Sequence, residues 1–577
     1  MQTKEQLDSL TLQEERLLTG GQALMECLLA EEVDTIFGYP GGAIMPVYDA
    51  LYDYTDRIKH VLVRHEQGAA HAAEGYARSS LKVGVCMATS GPGATNLITG
   101  IADAIIDCTP MVAITGQVAS NLLGTDAFQE TDVIGITTPV CKWNYQVTHP
   151  DELPEVMAKA FFIARAGKPG PVLIDITKDA QVATMTKPFV YKKVEKLAGY
   201  HPRRIPKLEQ IQKAADLINQ AKRPYILFGH GVLLSDAMSE FRQFVEKTDI
   251  PAASTLLGIS ALGIDHPNYM GWLGMHGHYA PNIMTDKCDV LIAIGMRFDD
   301  RVTGDASKFA QQARIIHIEI DPAEVEKIKK TEAPVIGDIK EALGLLMPLV
   351  KNGDFTAWKN EFRKLEPAEH EAVTLRDLKG EGPLKMAEVV HLVSEKTKGE
   401  ACVVVDVGQH QMVTARYYQF KRPHSYIASG GLGTMGFAIP AALGAKMGDP
   451  SREVIAFIGD GCFQMTIQEL GTIAQSGLPV KLIILNNNFL GMVRQWQQLF
   501  FEKRYSFVEL QNPDFIMIAK GFGIDGAKID HREGLEEAID TMLAHPGSYV
   551  LEVVVEKEEN VFPMVPAGRS VSEIRLK

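Results

Sequence analysis

Short apolar runs rich in β-branched residues alternate along the chain with longer segments of helical periodicity and with glycine-rich turns. This alternation is typical of parallel α/β sheets, in which a crossover helix follows each buried strand. The runs fall into three groups, separated by polar stretches at 187–207 and 351–382. The predicted strands are 35–37, 61–63, 83–86, 111–114 and 172–175 in the first group, 224–228, 290–294 and 315–320 in the second, and 403–405, 454–458, 481–485 and 550–554 in the third.

The pattern predicts an α/β protein with three doubly wound parallel-sheet domains. The expected boundaries are 15–186, 205–350 and 382–556, followed by a C-terminal tail at 557–577. The length of 577 residues agrees with three or four domains, so a single small binding module is excluded. No short-period repeat is visible, which argues against a solenoid.

Composition narrows the function classes. Apolar residues make up 46% and charged residues 23%, which excludes disorder as the main state. The net charge of −14 and the lack of a basic run argue against nucleic acid and anionic lipid as partners. Seven cysteines without C-x-x-C spacing favour a reducing cytoplasm over a disulfide framework. We expect no signal or transit peptide in the first fifteen residues and no membrane span.

The strongest chemical signal lies in the third group of strands. The predicted strand 454–458 runs into Gly459-Asp460-Gly461, and the strand 481–485 runs into Asn486-Asn487. Carboxylate and amide oxygens suit Mg²⁺, which also binds phosphate oxygens and water. Glycines let backbone amides approach those phosphates. The alternative is that Gly-Asp-Gly forms an ordinary turn.

Together the two motifs resemble the cofactor motif of thiamine-diphosphate-dependent enzymes, which starts at Gly-Asp-Gly and ends at Asn-Asn. The resemblance implies that Asp460, Asn487 and the carbonyl of Phe489 bind the metal. It also implies Gln409 and His410 as donors to the diphosphate, although His410 could instead be an ordinary residue at a helix N-terminus. Further implied cofactor contacts are Gly433, Met435, Gly461, Cys462 and Met492.

A second part of the thiamine site is implied in the first domain. Glu66 follows the predicted strand 61–63 and precedes a helix of small residues, and in the family this glutamate hydrogen-bonds to the aminopyrimidine. The alternative is a solvated glutamate that a helix dipole stabilises. Because Glu66 and Asp460 fall in different domains, the cofactor would span a domain boundary. In the family that boundary lies between subunits, which implies a homodimer or tetramer.

Longer stretches resemble the acetolactate synthase (acetohydroxyacid synthase) branch of these enzymes, from about Thr19 to Ala567; they are 37–43, 124–130, 275–277, 297–304 and 491–497. The resemblance implies decarboxylation of pyruvate and condensation of the remaining two-carbon unit with a second pyruvate or 2-ketobutyrate. This reaction is the first common step of branched-chain amino-acid biosynthesis. A separate regulatory small subunit is a further partner to test.

The resemblance assigns Arg301 to the carboxylate of the acceptor, because a planar guanidinium can bind it in two places. The alternative for Arg301 is an ion pair with Asp299 or Asp300. Trp496 would shape the pocket for the ethyl group of 2-ketobutyrate. Other matching pocket positions, each of which could instead belong to a core, are Phe128, Gln129, Lys178, Met275, Val407 and Val493.

The central domain of this family holds FAD, which has no net redox role in the main reaction. A G-x-G-x-x-G fingerprint is absent, so the pattern itself gives little support for a dinucleotide. Lys168 stands where many relatives have arginine before Pro-Gly-Pro. The implied FAD contacts are Lys168, His276, Arg297, Asp321 and Asp338.

Two alternative functions are a pyruvate oxidase-like enzyme and a catalytically idle homologue. A pyruvate oxidase-like enzyme would share thiamine diphosphate and FAD, but Arg301 and Trp496 argue against it. A catalytically idle homologue would have lost Glu66, Asp460 or Asn487, and all three are present.

Overall fold

Residues 17–202 and 204–577 are described by the structure, which is a computed structural model. In this part of the chain eighteen strands form three sheets of six strands, and the strand pairings are parallel. The predicted α/β class with three parallel sheets is therefore confirmed. The first sheet lies in one compact unit, which holds Leu81–Tyr200 and the described residues up to Ala77; the other two sheets lie in a second unit, which holds Arg78–Ser80 and His201–Lys577.

The first sheet has the strand order β2-β1-β3-β4-β6-β5. Its central strands β3, β4 and β6 are buried along their whole length, as expected when helices cover both faces. The strands are β1 (Thr35–Gly38), β2 (Lys59–Leu62), β3 (Gly84–Ala88), β4 (Met111–Gln117), β5 (Trp143–Val147) and β6 (Pro171–Thr177). The α-helices are Gly20–Ala30, Met45–Tyr52, Glu66–Ser80, Pro92–Asn96, Ile98–Ile106, Val133–Thr137, Leu153–Arg165 and Lys178–Val182.

The second sheet has the order β12-β11-β10-β7-β8-β9. Its two faces pack into separate apolar clusters, one around Phe228, Phe241 and Phe244 and the other around Tyr225, Phe309 and Phe362. The strands are β7 (Pro224–Phe228), β8 (Ala252–Ser254), β9 (Tyr269–Trp272), β10 (Val290–Ile294), β11 (Arg314–Glu319) and β12 (Ala333–Ile336). The α-helices are Leu208–Gln220, Gly231–Leu234, Met238–Thr248, Tyr279–Thr285, Asp300–Thr303 and Ile339–Leu346.

The third sheet has the order β14-β13-β15-β16-β18-β17. The strands are β13 (Cys402–Val405), β14 (Tyr426–Ala428), β15 (Val454–Gly459), β16 (Lys481–Asn486), β17 (Asp525–Ile529) and β18 (Tyr549–Val554). The α-helices are Met386–Lys396, Gln409–Tyr417, Ala438–Gly448, Asp460–Met465, Leu470–Ser476, Gly491–Phe500, Phe515–Gly521 and Leu535–Ala544.

The first and third sheets are wound in the same way. Numbered within its own domain, each has the order 2-1-3-4-6-5, whereas the second sheet has the order 3-2-1-4-5-6. In every sheet the direction of winding reverses between two neighbouring strands: β1 and β3, β7 and β10, and β13 and β15. Ligands of open α/β sheets bind outside the carboxyl ends of the strands at such a reversal.

The polar stretch 351–382 is not a bare connector. It contains the α-helices Thr356–Arg363, Glu366–Glu369 and Leu375–Leu378, and the rings of Trp358 and Phe362 join the core of the second sheet. Sequence periodicity missed these helices because the segment is short of branched apolar residues. Within the described residues, no helix is long and apolar enough to cross a membrane, and all seven cysteines are free thiols.

The tail 557–577 folds back onto the second and third domains. Val565 donates its backbone N–H to the carbonyl of Met275 at 2.8 Å, and Asp305 donates to the carbonyl of Arg569 at 2.8 Å. Val571 is fully buried in the core of the second sheet. The tail is therefore an integral part of this unit.

Candidate active site

Asp460 and Asn487 follow two neighbouring strands of the third sheet. Asp460 comes directly after β15 and Asn487 directly after β16, and these strands pair with each other. Both residues are buried, with 1% and 3% of their surface exposed. Asn487 Oδ1 accepts from the backbone N–H of Phe489 at 3.1 Å, which closes the turn after β16. The predicted metal ligands therefore share one edge of one sheet.

Asn512 holds Asp460 in place. Its Nδ2 donates to Asp460 Oδ2 at 2.7 Å and lies 2.9 Å from Asn486 Oδ1. Gln464 donates to Asn512 Oδ1 at 2.8 Å, which fixes the direction of the Asn512 amide. Sequence reasoning missed Asn512, because it lies in a loop of no regular pattern between the helices Gly491–Phe500 and Phe515–Gly521.

The electrostatics at Asp460 favour a cation. Burial raises the pKa of Asp460 to about 6, and the hydrogen bond from Asn512 only partly offsets this effect. Within residues 17–202 and 204–577, no lysine, arginine or histidine forms an ion pair with Asp460. A buried carboxylate beside an amide oxygen is a donor set of the kind that Mg²⁺ prefers, so the residues present fit this ion.

His410 and the N-terminus of its helix lie together beside Gly459. The helix Gln409–Tyr417 follows β13, and its first N–H groups have no partner within the helix. The imidazole lies so close to Gly459 that a Cβ there would be 2.8 Å from the ring. His410 Nε2 is buried and lacks a hydrogen-bond partner among the described residues. Burial lowers the pKa of His410 to about 3, and a nearby diphosphate would raise it.

The Gln409 side chain bonds to other parts of the protein. Gln409 Nε2 donates to Gln495 Oε1 at 2.9 Å and to the carbonyl of Glu559 at 2.8 Å. Both of its amide hydrogens are therefore used inside the protein, and the side chain is not free to donate to a diphosphate. Its oxygen accepts from Asn487 Nδ2 at 3.3 Å. The backbone N–H at the start of the helix remains the group that Gln409 can offer to an anion.

The glycine-rich loop 430–436 lies next to these motifs. Gly433 has a φ of +73°, a conformation that favours glycine, and a Cβ there would lie 3.8 Å from Val407. The Met435 methyl group is 3.8 Å from the position of a Cβ on Gly461. The carboxylate of buried Asp406 accepts from the backbone N–H of Gly436 at 2.9 Å and so anchors the loop.

Two other expected cofactor contacts also lie in this region. Cys462 is buried and its thiol donates to the carbonyl of Val407 at 3.2 Å. Met492 is half-buried near the start of the helix Gly491–Phe500. At the preceding Gly491 a Cβ would meet Gln409 Oε1 at 2.2 Å, so the helix approaches Gln409 closely.

In the first domain, Glu66 is the first residue of the helix Glu66–Ser80, and His65 caps that helix by accepting from the N–H of Gln67. Glu66 exposes only 9% of its surface, which excludes the alternative of a solvated glutamate. Asn96 Nδ2 donates to Glu66 Oε2 at 2.9 Å. Asn96 is a second residue that sequence reasoning missed, since a lone asparagine near a helix end gives no signal.

The residues expected to bind the acceptor are more exposed. Phe128 is 88% exposed, Lys178 is exposed at the start of the helix Lys178–Val182, and Gln129 has a φ of +61°. The Arg301 side chain is 63% exposed; it forms an ion pair with Asp300 at 3.8 Å and contacts Met275 Sδ at 3.5 Å. The alternative ion pair with Asp300 is thus present, but an exposed pair of this length is weak.

Trp496 is half-buried on the helix Gly491–Phe500. Its indole packs against Phe500 with ring centroids 5.2 Å apart, and against the small apolar cluster of Val373, Phe562 and Met564. Arg494 and Gln495 on the same helix are fully buried and donate to the carbonyls of Glu559 and Val561. Because Phe562 and Met564 also belong to the tail, the indole and its buried neighbours all join this helix to the tail.

The second sheet has the strand order of dinucleotide-binding folds. Its winding reverses between β7 and β10, which are followed by Gly229 and Gly295. A Cβ on Gly229 would lie 2.6 Å from the carbonyl of Gly295, so the two turns pack backbone to backbone at this reversal. The crevice outside this edge is where folds of this strand order bind dinucleotides, although the usual glycine fingerprint is missing here.

The individual residues expected to bind FAD have other roles as well. His276 is buried, with Nδ1 3.2 Å from the carbonyl of Pro563, and burial lowers its pKa to about 4. Arg297 lies 4.0 Å from Asp299. Asp338 caps the helix Ile339–Leu346, and Asp321 accepts from the N–H of Ala323 at 2.9 Å. Lys168 is half-buried in the turn before β6 of the first domain.

Comparison with known families agrees with the three sheets. Residues 18–136 match the family model described as the N-terminal TPP binding domain of thiamine pyrophosphate enzymes. Residues 211–346 match the central domain of these enzymes, and residues 406–553 match their C-terminal TPP binding domain. Thiamine pyrophosphate (TPP) is thiamine diphosphate.

Curated relatives extend over nearly the whole chain. The acetolactate synthase large subunit of Corynebacterium glutamicum is 47% identical, over 97% of this chain and 90% of that protein. The acetolactate synthase isozyme 2 large subunit of Escherichia coli is 46% identical, over 97% of this chain and 100% of that protein. The acetolactate synthase large subunit of Lactococcus lactis is 43% identical, over 97% of this chain and 96% of that protein. The chain therefore belongs to the acetolactate synthase large-subunit family of thiamine diphosphate enzymes.

Proposed function

We propose that this chain decarboxylates pyruvate and joins the remaining two-carbon unit to a second pyruvate or to 2-ketobutyrate, with thiamine diphosphate, Mg²⁺ and FAD as cofactors. One observation carries the proposal: in a chain so similar to acetolactate synthases, Asp460 and Asn487 are buried side by side and held by amides, next to the unpartnered nitrogen of His410. Thiamine diphosphate supplies, when bound, the nucleophilic carbon and the electron sink for this chemistry.

Asp460, Asn487 and the carbonyl of Phe489 would hold Mg²⁺. His410 Nε2 and the N–H groups at the start of the helix Gln409–Tyr417 would bind the diphosphate. Buried donors that are already oriented lose little freedom on binding, so this corner is pre-organised for a charged ligand.

Glu66 would exchange a proton with the pyrimidine ring. Asn96 occupies one carboxylate oxygen and leaves Glu66 Oε1 for that contact. In a buried site a charge-assisted hydrogen bond is stronger than at the surface, so Glu66 can shift a tautomer equilibrium.

Arg301 would bind the acceptor carboxylate, and Trp496 would contact its alkyl group. The weak ion pair with Asp300 leaves the Arg301 guanidinium available to a substrate. Phe128, Gln129 and Lys178 would complete this pocket once it loses contact with water. The exposure of Phe128 supports a pocket that a second copy of the chain completes, in a homodimer or tetramer.

The crevice at β7 and β10 would hold FAD, with His276, Arg297, Asp321, Asp338 and Lys168 as further contacts. We also propose a separate small subunit as a partner, because the relatives are named large subunits. A cytoplasmic location is supported by seven free thiols.

The purified chain, incubated under nitrogen with pyruvate, Mg²⁺, thiamine diphosphate and FAD, should form acetolactate, which acid converts to acetoin for measurement. Chelation of the metal should abolish the product. Adding 2-ketobutyrate should yield 2-aceto-2-hydroxybutyrate. Peroxide or acetyl phosphate formed in air, without acetolactate, would overturn the proposal and favour a pyruvate oxidase-like enzyme.

A further inference from the structure

A buried chain of side-chain amides links Asn487 to the backbone of the C-terminal segment. Asn487 Nδ2 donates to Gln409 Oε1 at 3.3 Å. Gln409 Nε2 donates in turn to Gln495 Oε1 at 2.9 Å and to the carbonyl of Glu559 at 2.8 Å. Gln495 bonds to both backbone groups of Val561: its Oε1 accepts from the N–H at 2.9 Å, and its Nε2 donates to the carbonyl at 3.1 Å.

Backbone groups set the direction of every bond in this amide relay, because a carbonyl only accepts and an N–H only donates. The carbonyl of Glu559 requires the NH₂ group of Gln409 to face it. The oxygen of Gln409 must then face Asn487, where only the NH₂ group of that residue can meet it. Asn487 Oδ1 is left on the opposite side, where it accepts from the N–H of Phe489 at 3.1 Å and keeps a second lone pair for a metal ion.

The relay is shielded from water. Asn487 and Gln409 each expose 3% of their surface, and Gln495 is fully buried. A buried amide that loses its partner finds no water to replace it, so a reversed amide anywhere in the relay leaves groups unpaired. The orientation of Asn487 is therefore coupled to Gln495, which is two residues away along the relay.

We propose that Gln495 and Gln409 are positioning residues that hold Asn487 Oδ1 toward the metal, and that the backbone at 559–561 anchors them. The inference rests on the Mg²⁺ site of the proposed function. According to this inference, Gln495 increases the affinity for the metal, although it lies on the helix Gly491–Phe500 and is not itself a proposed metal ligand.

The test uses the full chain with thiamine diphosphate and Mn²⁺ as the probe, and free Mn²⁺ is measured by electron paramagnetic resonance. Gln495→Met removes both amide atoms at nearly constant length. The Mn²⁺ dissociation constant should rise about tenfold, because groups behind a metal ligand typically contribute 10- to 100-fold in affinity. Far-UV circular dichroism should be unchanged.

Gln497→Met is the matched control. Gln497 lies on the same helix, and its amide bonds to the backbone of Ser506 at 3.1 Å in both directions rather than to the relay. Its Mn²⁺ constant should stay within about twofold of the wild type. A general loosening of the helix would weaken Mn²⁺ binding in both variants.

A double-mutant cycle tests whether the two glutamines act in series. Gln409→Met should weaken Mn²⁺ binding at least as much as Gln495→Met, and the double variant should be no weaker than Gln409→Met alone. Gln495→Glu keeps an oxygen that accepts from Gln409, and because burial favours the protonated acid, its O–H can donate to the carbonyl of Val561; it should recover most of the affinity.

Wild-type Mn²⁺ affinity in Gln495→Met, or effects that multiply in the double variant, would overturn the proposal. If Gln495→Met does not fold, Gln495→Glu is used instead. If Gln495→Glu binds Mn²⁺ as weakly as Gln409→Met does, the proposal is overturned. A wild-type chain that binds no Mn²⁺ in the presence of thiamine diphosphate would overturn the proposed function instead, so the two failures are distinct.

Discussion

The residues proposed to bind the metal and the diphosphate differ in burial from the residues proposed to bind the acceptor. In the first, Asp460 and Asn487 are almost fully buried, and an amide holds each of them. In the second, Phe128 is 88% exposed and the Arg301 side chain 63%. The first set is thus in place once the chain has folded, whereas the second set would still have to lose its contacts with water to bind the acceptor as proposed.

This difference separates two kinds of effect. A substitution in the pre-organised region should change cofactor retention and turnover, because the groups are already in place before any ligand arrives. A substitution in the exposed region should change the KM and the choice of acceptor. The attraction between its charged side chains and the substrate is weak in water and becomes strong only when the bound substrate excludes water. The following predictions test that separation, from the largest expected effect to the smallest.

Glu66→Gln should lower kcat about 10²- to 10⁴-fold, the usual contribution of a positioned acid or base. The glutamine oxygen can still accept from Asn96, so the melting temperature and the affinity for thiamine diphosphate should be retained. Steady-state kinetics and calorimetric titration measure the two effects. Near-normal turnover would show that Glu66 is not the acid.

Asn512→Leu should raise the Mg²⁺ concentration needed for half-maximal activity about 10- to 100-fold, because Asp460 loses the amide that holds it. The kcat at saturating Mg²⁺ should change much less. Gln464→Met, which only frees the far side of Asn512, should have a smaller effect in the same assay. Equal effects of the two substitutions would contradict the idea that Asn512 acts directly on Asp460.

Arg301→Lys should raise the KM for pyruvate about tenfold, since lysine keeps the charge but loses one of two charged hydrogen bonds, worth about 1.5 kcal/mol. Asp300→Asn removes only the exposed ion pair and should change the KM less than about twofold. If Asp300→Asn had the larger effect, Arg301 would serve the ion pair rather than the acceptor.

Trp496→Leu should lower the preference for 2-ketobutyrate over pyruvate about tenfold, because contact with one extra methylene is worth about 1–3 kcal/mol. The ratio of the two products in a competition assay measures it. Phe500→Leu disturbs only the ring that supports Trp496 and should change the ratio less. An unchanged ratio in both variants would remove Trp496 from the acceptor pocket.

Glu559→Gln tests the pH sensitivity of the pre-organised region. Burial raises the pKa of Glu559 to about 7, from an ordinary value of 4.5. The folded state therefore favours the neutral acid, and the stability this supplies is present below about pH 4.5 and lost as the pH rises through 7. The variant cannot ionise, and it also loses the attraction of Lys385, whose Nζ lies 3.6 Å from Glu559 Oε1. The difference in melting temperature between variant and wild type should therefore be about 2 °C more favourable to the variant at pH 8 than at pH 5. A difference independent of pH would contradict this.

The long buried strands and the motifs at their ends were predictable from sequence. A continuous apolar run such as Val454–Gly459 is typical of a strand buried on both faces of a sheet. Short or partly exposed strands were not. β8 has three residues, β14 has three, and β17 is half-exposed at a sheet edge, so none has a clear pattern. The reversal between β7 and β10 depends on which strands pair, and no local pattern records pairing.

The site shows the same division. Asp460, Asn487 and Glu66 follow strands and could be recognised, whereas the groups that orient them could not. Asn512 and Asn96 stand alone in sequence, and the role of Gln409 depends on a glutamine 86 positions away. Sequence reasoning therefore named the groups proposed to face a ligand and missed the groups behind them.

The anchor of the amide relay is made of main-chain atoms, and this affects how the chain can vary. Any residue at 559 presents the same carbonyl, and any residue except proline at 561 presents the same N–H. Side-chain substitutions there leave the anchor in place, whereas an insertion or deletion between Val554 and Val561 would shift it out of register. The segment after β18 should consequently tolerate changes of residue type but conserve its length.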